Sequence, residues 1–447
     1  MNPFLLLLLG IVAIIWLSSR VRLHTFVVLF GLTIAVGLLA GISSTDVLAH
    51  LRTGFGHTLE KIGLLVILGT ILGALLDHSR ATLSLANAIL YRVGERRAPL
   101  AVIIMAFLVG LPIFCDSGFI VLSGLVLTLA QRLQRSPLQL VLCLAGGLYA
   151  VHCLVPPHPG ITAAVGITGV DTGRMILLGS VLALPPTVVS YVWANFAGKR
   201  YGTQMTAPID LPAVADSDGQ PLPSAGGALA AILVPIGLIS LKSIVSLTPA
   251  VYPGPVKSFV DFVGDPIVAL GVGIGIALTL FQRLTKSVFN ELIEEAIVKA
   301  GPVLAIVGAG GAFGEIIKNI GVETELAALT QSAEQGLLGL GLLIPFALTV
   351  VLKTAQGSST VAVMSVASML TPLLPALGFG SDWDRLLALA AMGAGSMTVS
   401  HANDAYFWVV ARFGRVDTPT MLRTYSVMTI LMGLSTFACL CLVRWLL

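Results

Sequence analysis

Apolar residues in this chain come in long runs, not in alternation, and short polar breaks separate the runs. A helix needs about 20 mostly apolar residues to cross a bilayer. On that ruler, spans are predicted near residues 3–19, 24–42, 61–79, 138–169 and 174–197, and again near 227–249, 262–281, 299–319, 384–414 and 421–445. Between the two series lies KRYGTQMTAPIDLPAVADSDGQPLPSAG, residues 199–226, whose Pro, Asp and Gly content predicts a cytoplasmic linker. The chain therefore divides into 1–198, the linker, and 227–447.

Residues 98–133 and 337–375 do not fit the ruler. Each is too long for one span and holds two apolar arms of about 15 residues, short of the ~20 needed to cross. The arms meet at polar tips, FCDSG (114–118) and KTAQGSS (353–359). Both stretches are predicted to be re-entrant hairpins. Irregular backbone at membrane depth is tolerated where it is buried in protein or lines a water-filled cavity. The run HCLVPPHPG (152–160) adds a break inside a span, because proline removes a backbone donor and clashes with the preceding turn.

The two halves resemble each other. Asp116 matches Gln356 at an offset of 240, Gly69 matches Gly308 at 239, and ITGVDTGRMI (167–176) matches FGRVDTPTML (413–422) at 246. The same offset carries Val155-Pro156-Pro157-His158 onto His401-Ala402-Asn403-Asp404, so the second half should break its own helix within 398–407. Five spans plus one hairpin make an odd number of crossings, so the second copy enters inverted. The predicted fold is an all-α polytopic membrane protein of two inverted repeats, each with five spans, one re-entrant hairpin and one broken helix. Such repeats, with discontinuous helices at the midplane, characterise secondary transporters.

Composition agrees. Of 447 residues, 56% are hydrophobic and 11% charged, against about 25% charged in soluble domains. With the N-terminus outside, the inner loops hold sixteen Lys and Arg and the outer side seven, a positive-inside bias that predicts both termini periplasmic. The start, MNPFLLLLLG, lacks the basic region and cleavage site of a signal peptide, so Pro3–Leu17 is taken as the first span. No basic block points to nucleic acid. The five cysteines form no CxxC and no disulfide framework, and no cofactor or metal is expected.

Broken helices expose N–H groups at one half-helix end and C=O groups at the other. The first suit anions and the second cations. Four such interruptions should meet near the midplane and hold an anionic substrate with a co-transported cation. Asp116, an acid at membrane depth, is a functional candidate by default. Its competing role is to cap the hairpin. Asp404 divides equally between capping and ion coordination. Histidine as a residue type titrates near neutrality, and His158 and His401 stand at matched breaks, whereas His152 reads as a core histidine. Lys353 reads as a counter-charge to a carboxylate, against snorkelling to the surface. Ser358, Ser359, Thr360 and Asn403 suit the hydroxyls of a polyol acid. Glu315 and Lys318 read as a surface pair. Gly308, Gly310, Gly311 and Gly314 suit close helix packing.

LPIFCDSGFI (111–120), LVPPHPG (154–160), QGSSTVA (356–362) and SHANDAYFW (400–408), with the overall length and spacing, resemble the gluconate permease family of sugar-acid:proton symporters. Cys115 and Ser117 stand where that family usually has Phe and Val, and Ile161 where a further Pro often follows, which makes the first tip smaller and more polar. The resemblance implies proton-coupled uptake of gluconate or a related hydroxy acid across the bacterial inner membrane. It also implies a fold like that of the divalent-anion transporters. It places proton coupling on Asp116, His158, His401 and Asp404. The implied substrate site comprises Cys115, Ser117, Gly118, Pro157 and His158 in the first half, and Lys353, Thr354, Gln356, Gly357, Ser358, Ser359, Thr360, Ser400 and Asn403 in the second. Glycerate or D-serine as substrate, sodium as coupling ion, a passive anion channel and a homodimer stay open. A contrasting class, an intramembrane enzyme using Asp116 and His158 on a lipid-linked acid, would need a paired-carboxylate metal motif or a nucleophile elbow, and the sequence has neither.

Overall fold

The computed structural model describes residues 3–19, 21, 23–94, 97–202, 221–247, 254–321 and 341–446. Most of the expected linker (203–220) and the start of the second expected hairpin (337–340) lie outside the described residues. All regular structure among the described residues is helical.

The first half runs α1 (Pro3–Ser19), α2 (Thr25–Leu39), α3 (Ser44–His78), α4 (Ala81–Val93), α5 (Ala98–Gly110), α6 (Cys115–Arg132), α7 (Pro137–Leu154), α8 (Pro159–Thr168), α9 (Thr172–Leu182) and α10 (Leu184–Tyr201). The second runs α11 (Ala225–Leu247), α12 (Gly254–Val263), α13 (Pro266–Leu278), α14 (Lys286–Asn319), α15 (Leu343–Gln356), α16 (Ser359–Leu370), α17 (Asp382–Met397), α18 (Ala405–Phe413) and α19 (Thr418–Leu446). Among the described residues six stretches are long and apolar enough to cross a membrane: α3, α7–α8, α9–α10, α11, α14 and α19. The bent pair α12–α13 would make a seventh. The protein is thus an all-helical, multi-pass membrane protein.

Three expectations need correction. The span near 61–79 is the second half of the 35-residue α3, and the span near 299–319 is the end of the 34-residue α14. Both helices start earlier because side chains cap them there. Ser43 accepts from Asp46 N, and Thr285 accepts from Val288 N. Their polar first halves then continue as helix, supported in α14 by an i,i+4 pair of Glu295 and Lys299 at 2.7 Å. The span near 262–281 is not continuous. Asp265 caps α13 by accepting from Ile267 N, Pro266 opens it, and α12 meets α13 at 61°. The apolar α4 between α3 and the first hairpin was not anticipated.

α3 and α14 pack along each other. The contact is close because glycines line it. A Cβ on Gly54 would lie 2.5 Å from the Gly311 carbonyl, and one on Gly308 would strike the Phe55 ring. Two matched aspartates do the same local work at the starts of α9 and α19: Asp171 accepts from Arg174 N at 2.8 Å, and Asp417 from Thr420 N at 3.0 Å.

Candidate transport site

The short helix pairs α5–α6 and α15–α16 turn at residues 111–114 and 357–358. Asp116 therefore sits in the first turn of α6, not in the connecting loop, and Lys353 in the last turn of α15. The interruptions between α7 and α8 (155–158) and between α17 and α18 (398–404) lie beside these turns. Four helix N-termini, those of α6, α8, α16 and α18, face this region. Those of α16 and α18 are capped by their own chain: Ser358 accepts from Val361 N, and Asp404 from Tyr406 N at 3.0 Å. Those of α6 and α8 have no side-chain cap.

At the second turn Lys353 is fully buried, which rules out snorkelling. Its Nζ donates to Asp404 Oδ2 at 2.6 Å and to the Gly357 carbonyl. Ser400 Oγ donates to the same carboxylate oxygen. Asp404 is thus both a cap and an ion-pair partner. Gly357 is in the left-handed region (φ 86°), and a Cβ there would run into the Asn403 carbonyl, so only glycine lets hairpin and break approach this closely. His401 Nε2 (3.1 Å) and Asn403 Nδ2 (2.7 Å) both reach the Thr354 carbonyl. Thr354 Oγ1 is turned back on Val350.

At the first turn the fastening is different. His158 Nε2 donates to the Gly110 carbonyl at 2.6 Å, with the His152 ring 4.9 Å away. Pro157 packs against Gly69, and Gly118 against Leu148. Cys115 is buried, its Sγ 3.9 Å from Asp116 Oδ1. α6, which carries Asp116, packs against α18, whose first turn Asp404 caps. The halves meet where Gly160 abuts Thr360; a Cβ on Gly160 would be 2.8 Å from Thr360 Cα. Tyr149 and Tyr406 pack ring to ring across the same centre at 5.4 Å.

A cavity of about 700 Å³ opens at the second turn, lined by Gln356, Ser358, His401 and Asn403 together with His24 and Thr25 of the first half. Both amide atoms of Gln356 are buried and have no hydrogen-bond partner among the described residues. Ser359 is buried and Ser117 half-buried. The expected Glu315–Lys318 pair is not formed; Glu315 Oε1 accepts from Asn319 Nδ2 instead. Gly310, Gly311 and Gly314 are packing positions, against Ser368 and Thr58. The tyrosines were missed, because aromatic residues in an apolar helix give no sequence signal that separates a site wall from ordinary core.

Helix pairs interrupted around a buried polar centre define a helical membrane carrier. The crystal structure of the Alcanivorax borkumensis YdaH transporter superposes with a TM-score of 0.67, at 16% identity, over 100% of this chain and 99% of that one, a likeness of fold. Residues 2–446 match the GntP family permease, and the chain belongs to that family. It is 31% identical to the gluconate permease of Pseudomonas aeruginosa over 96% of this chain and 94% of that protein. It is 29% identical to the Escherichia coli inner membrane permease YgbN over 98% and 96%. The protein is a permease and not an enzyme.

Proposed function

We propose that this permease is a proton-coupled symporter that takes up a small hydroxycarboxylate, gluconate first, across the inner membrane. The observation that carries the reading is the centre where α6, which carries Asp116, packs against α18, whose cap Asp404 is paired with buried Lys353, beneath two N-termini without side-chain caps. Such N-termini suit a substrate carboxylate. The half-buried Asp116 and the buried Asp404 against one lysine leave a single negative charge, which a proton neutralises. Asp116 is the proton carrier, since Asp404 is engaged by Lys353, Ser400 and Tyr406 N. Protonated, Asp116 no longer repels an incoming carboxylate. Gln356, Ser358 and Asn403 on the cavity wall are suited to substrate hydroxyls. Relatives named gluconate permeases support the substrate class.

In this reading the two halves are inverted repeats, both termini face the periplasm, and the cavity at the second turn, which reaches His24 after the first span, opens toward the cytoplasm. The test is uptake of labelled gluconate into proteoliposomes with an imposed proton gradient. Accumulation should vanish with a protonophore and survive replacement of sodium by choline. Accumulation that ignores the proton gradient refutes the reading. A competition panel of C3 to C6 acids then ranks gluconate against glycerate and D-serine.

A further inference from the structure

Carriers with discontinuous helices hold their coupling cations with unwound carbonyls and half-helix C-terminal ends, and hard cations take oxygen ligands, carboxylates among them. The second turn of this protein assembles that donor set. The Gly357 carbonyl lies just beyond the C-terminal end of α15, and Asp404 Oδ2 comes from the break between α17 and α18. The Tyr149 ring face, itself a cation ligand, closes the site with its centroid 6.0 Å from the Lys353 ammonium. What stands among these groups is that ammonium, completely buried and held by the carboxylate and the carbonyl. Ser400 Oγ braces the same carboxylate oxygen from the other side.

We propose that the Lys353 ammonium is a tethered cation that fills the cation site of the second hairpin, so that this site takes no sodium ion. The inference rests on the reading above only in saying which ion is left to couple transport. It reassigns Lys353 from a counter-charge for the substrate to a fixed occupant. The first half does not duplicate the arrangement: Ile113 stands 240 residues before Lys353, and His158 stands 246 before Asp404. Shortening the lysine leaves a carboxylate and a carbonyl facing the space of its side chain, where a small cation with water can compensate the buried charge.

The test needs no substrate. Purified full-length wild type and Lys353→Ala are melted in NaCl, LiCl, KCl and choline chloride at equal ionic strength. Wild type should melt alike in all four. Lys353→Ala should melt at least about 2 °C higher in NaCl or LiCl than in choline, as expected for an ion that binds only the folded state. Methylammonium should stabilise it too. Lys353→Met, which refills the space, and Lys353→Ala/Asp404→Asn, which removes the carboxylate, should show no sodium effect. If Lys353→Ala does not fold, Lys353→Asn, which supplies an amide oxygen, is read by folded yield from sodium-rich against potassium-rich medium. Indifference of both variants to sodium, including failure of both to fold in either salt, overturns the proposal. A wild type that is insensitive to protonophore overturns the symport reading instead and leaves these melting curves unaffected.

Discussion

In the first half of the chain the helix break is fastened to its hairpin by a hydrogen bond from His158 to the Gly110 carbonyl. In the second half the fastening is a buried ion pair, Lys353 to Asp404, reinforced by His401 and Asn403 on the Thr354 carbonyl. The helix ends differ in the same sense. Ser358 and Asp404 cap α16 and α18, while α6 and α8 have no side-chain cap. The second half pairs its buried charges with each other, although its Gln356 amide has no partner among the described residues, whereas the first leaves two helix ends without side-chain caps beside an acid. The two turns are thus held differently, one by a charge pair and one by a histidine hydrogen bond.

The comparison breaks first at the charge pair. Asp404→Leu strands a buried ammonium and should cost about 3–5 kcal/mol, read as lost folded yield and lost uptake. Asp404→Leu/Lys353→Met should recover most of the stability. If Asp404→Leu costs no more than His158→Leu, the two fastenings are equivalent and the contrast fails. Asp116→Asn should act on function and not on fold. It should abolish accumulation, keep exchange of labelled for unlabelled substrate across the membrane, and remove most of the pH dependence of substrate affinity. Full accumulation by this variant would move the proton to His158, His401 or Asp404.

A smaller effect tests the tight approach at the second turn. Gly357→Ala forces a Cβ onto a positive-φ residue and into the Asn403 carbonyl and should cost at least about 1–2 kcal/mol. The matched Ser117, inside α6, should accept alanine within about 0.5 kcal/mol. Melting of both variants decides it. The smallest effect concerns the shared caps: Asp171→Ala and Asp417→Ala should each lower stability by about 1 kcal/mol or less. A large difference between them would deny that the caps are equivalent.

The interruptions were legible because proline, glycine and charge are conspicuous in oil. PPHPG, SHANDA and the two polar turns all fall where helices stop or restart. The long helices were legible only in part. The first half of α3 carries His50, Arg52, His57, Glu60 and Lys61, and a ruler that counts apolar length discards such a segment even where capping and backbone hydrogen bonds continue the helix. The bend at Asp265-Pro266 was written in the sequence as a cap followed by proline at the first helical position, but apolar length on both sides masked it. Lys353 and Asp404 were each singled out, yet their pairing spans 51 residues. No periodicity reports which of several buried charges will meet.

The pairing of Lys353 with Asp404 has an electrical consequence. A potential of 100 mV acts on one elementary charge crossing the membrane with about 2.3 kcal/mol. The pair carries no net charge, so moving it through that field takes no work. With Asp116 as the carrier, the loaded protein moves one negative charge inward, that of the substrate, and the empty protein moves one negative charge outward, that of Asp116. The two half-journeys should respond to voltage in opposite directions while the complete cycle generates no current.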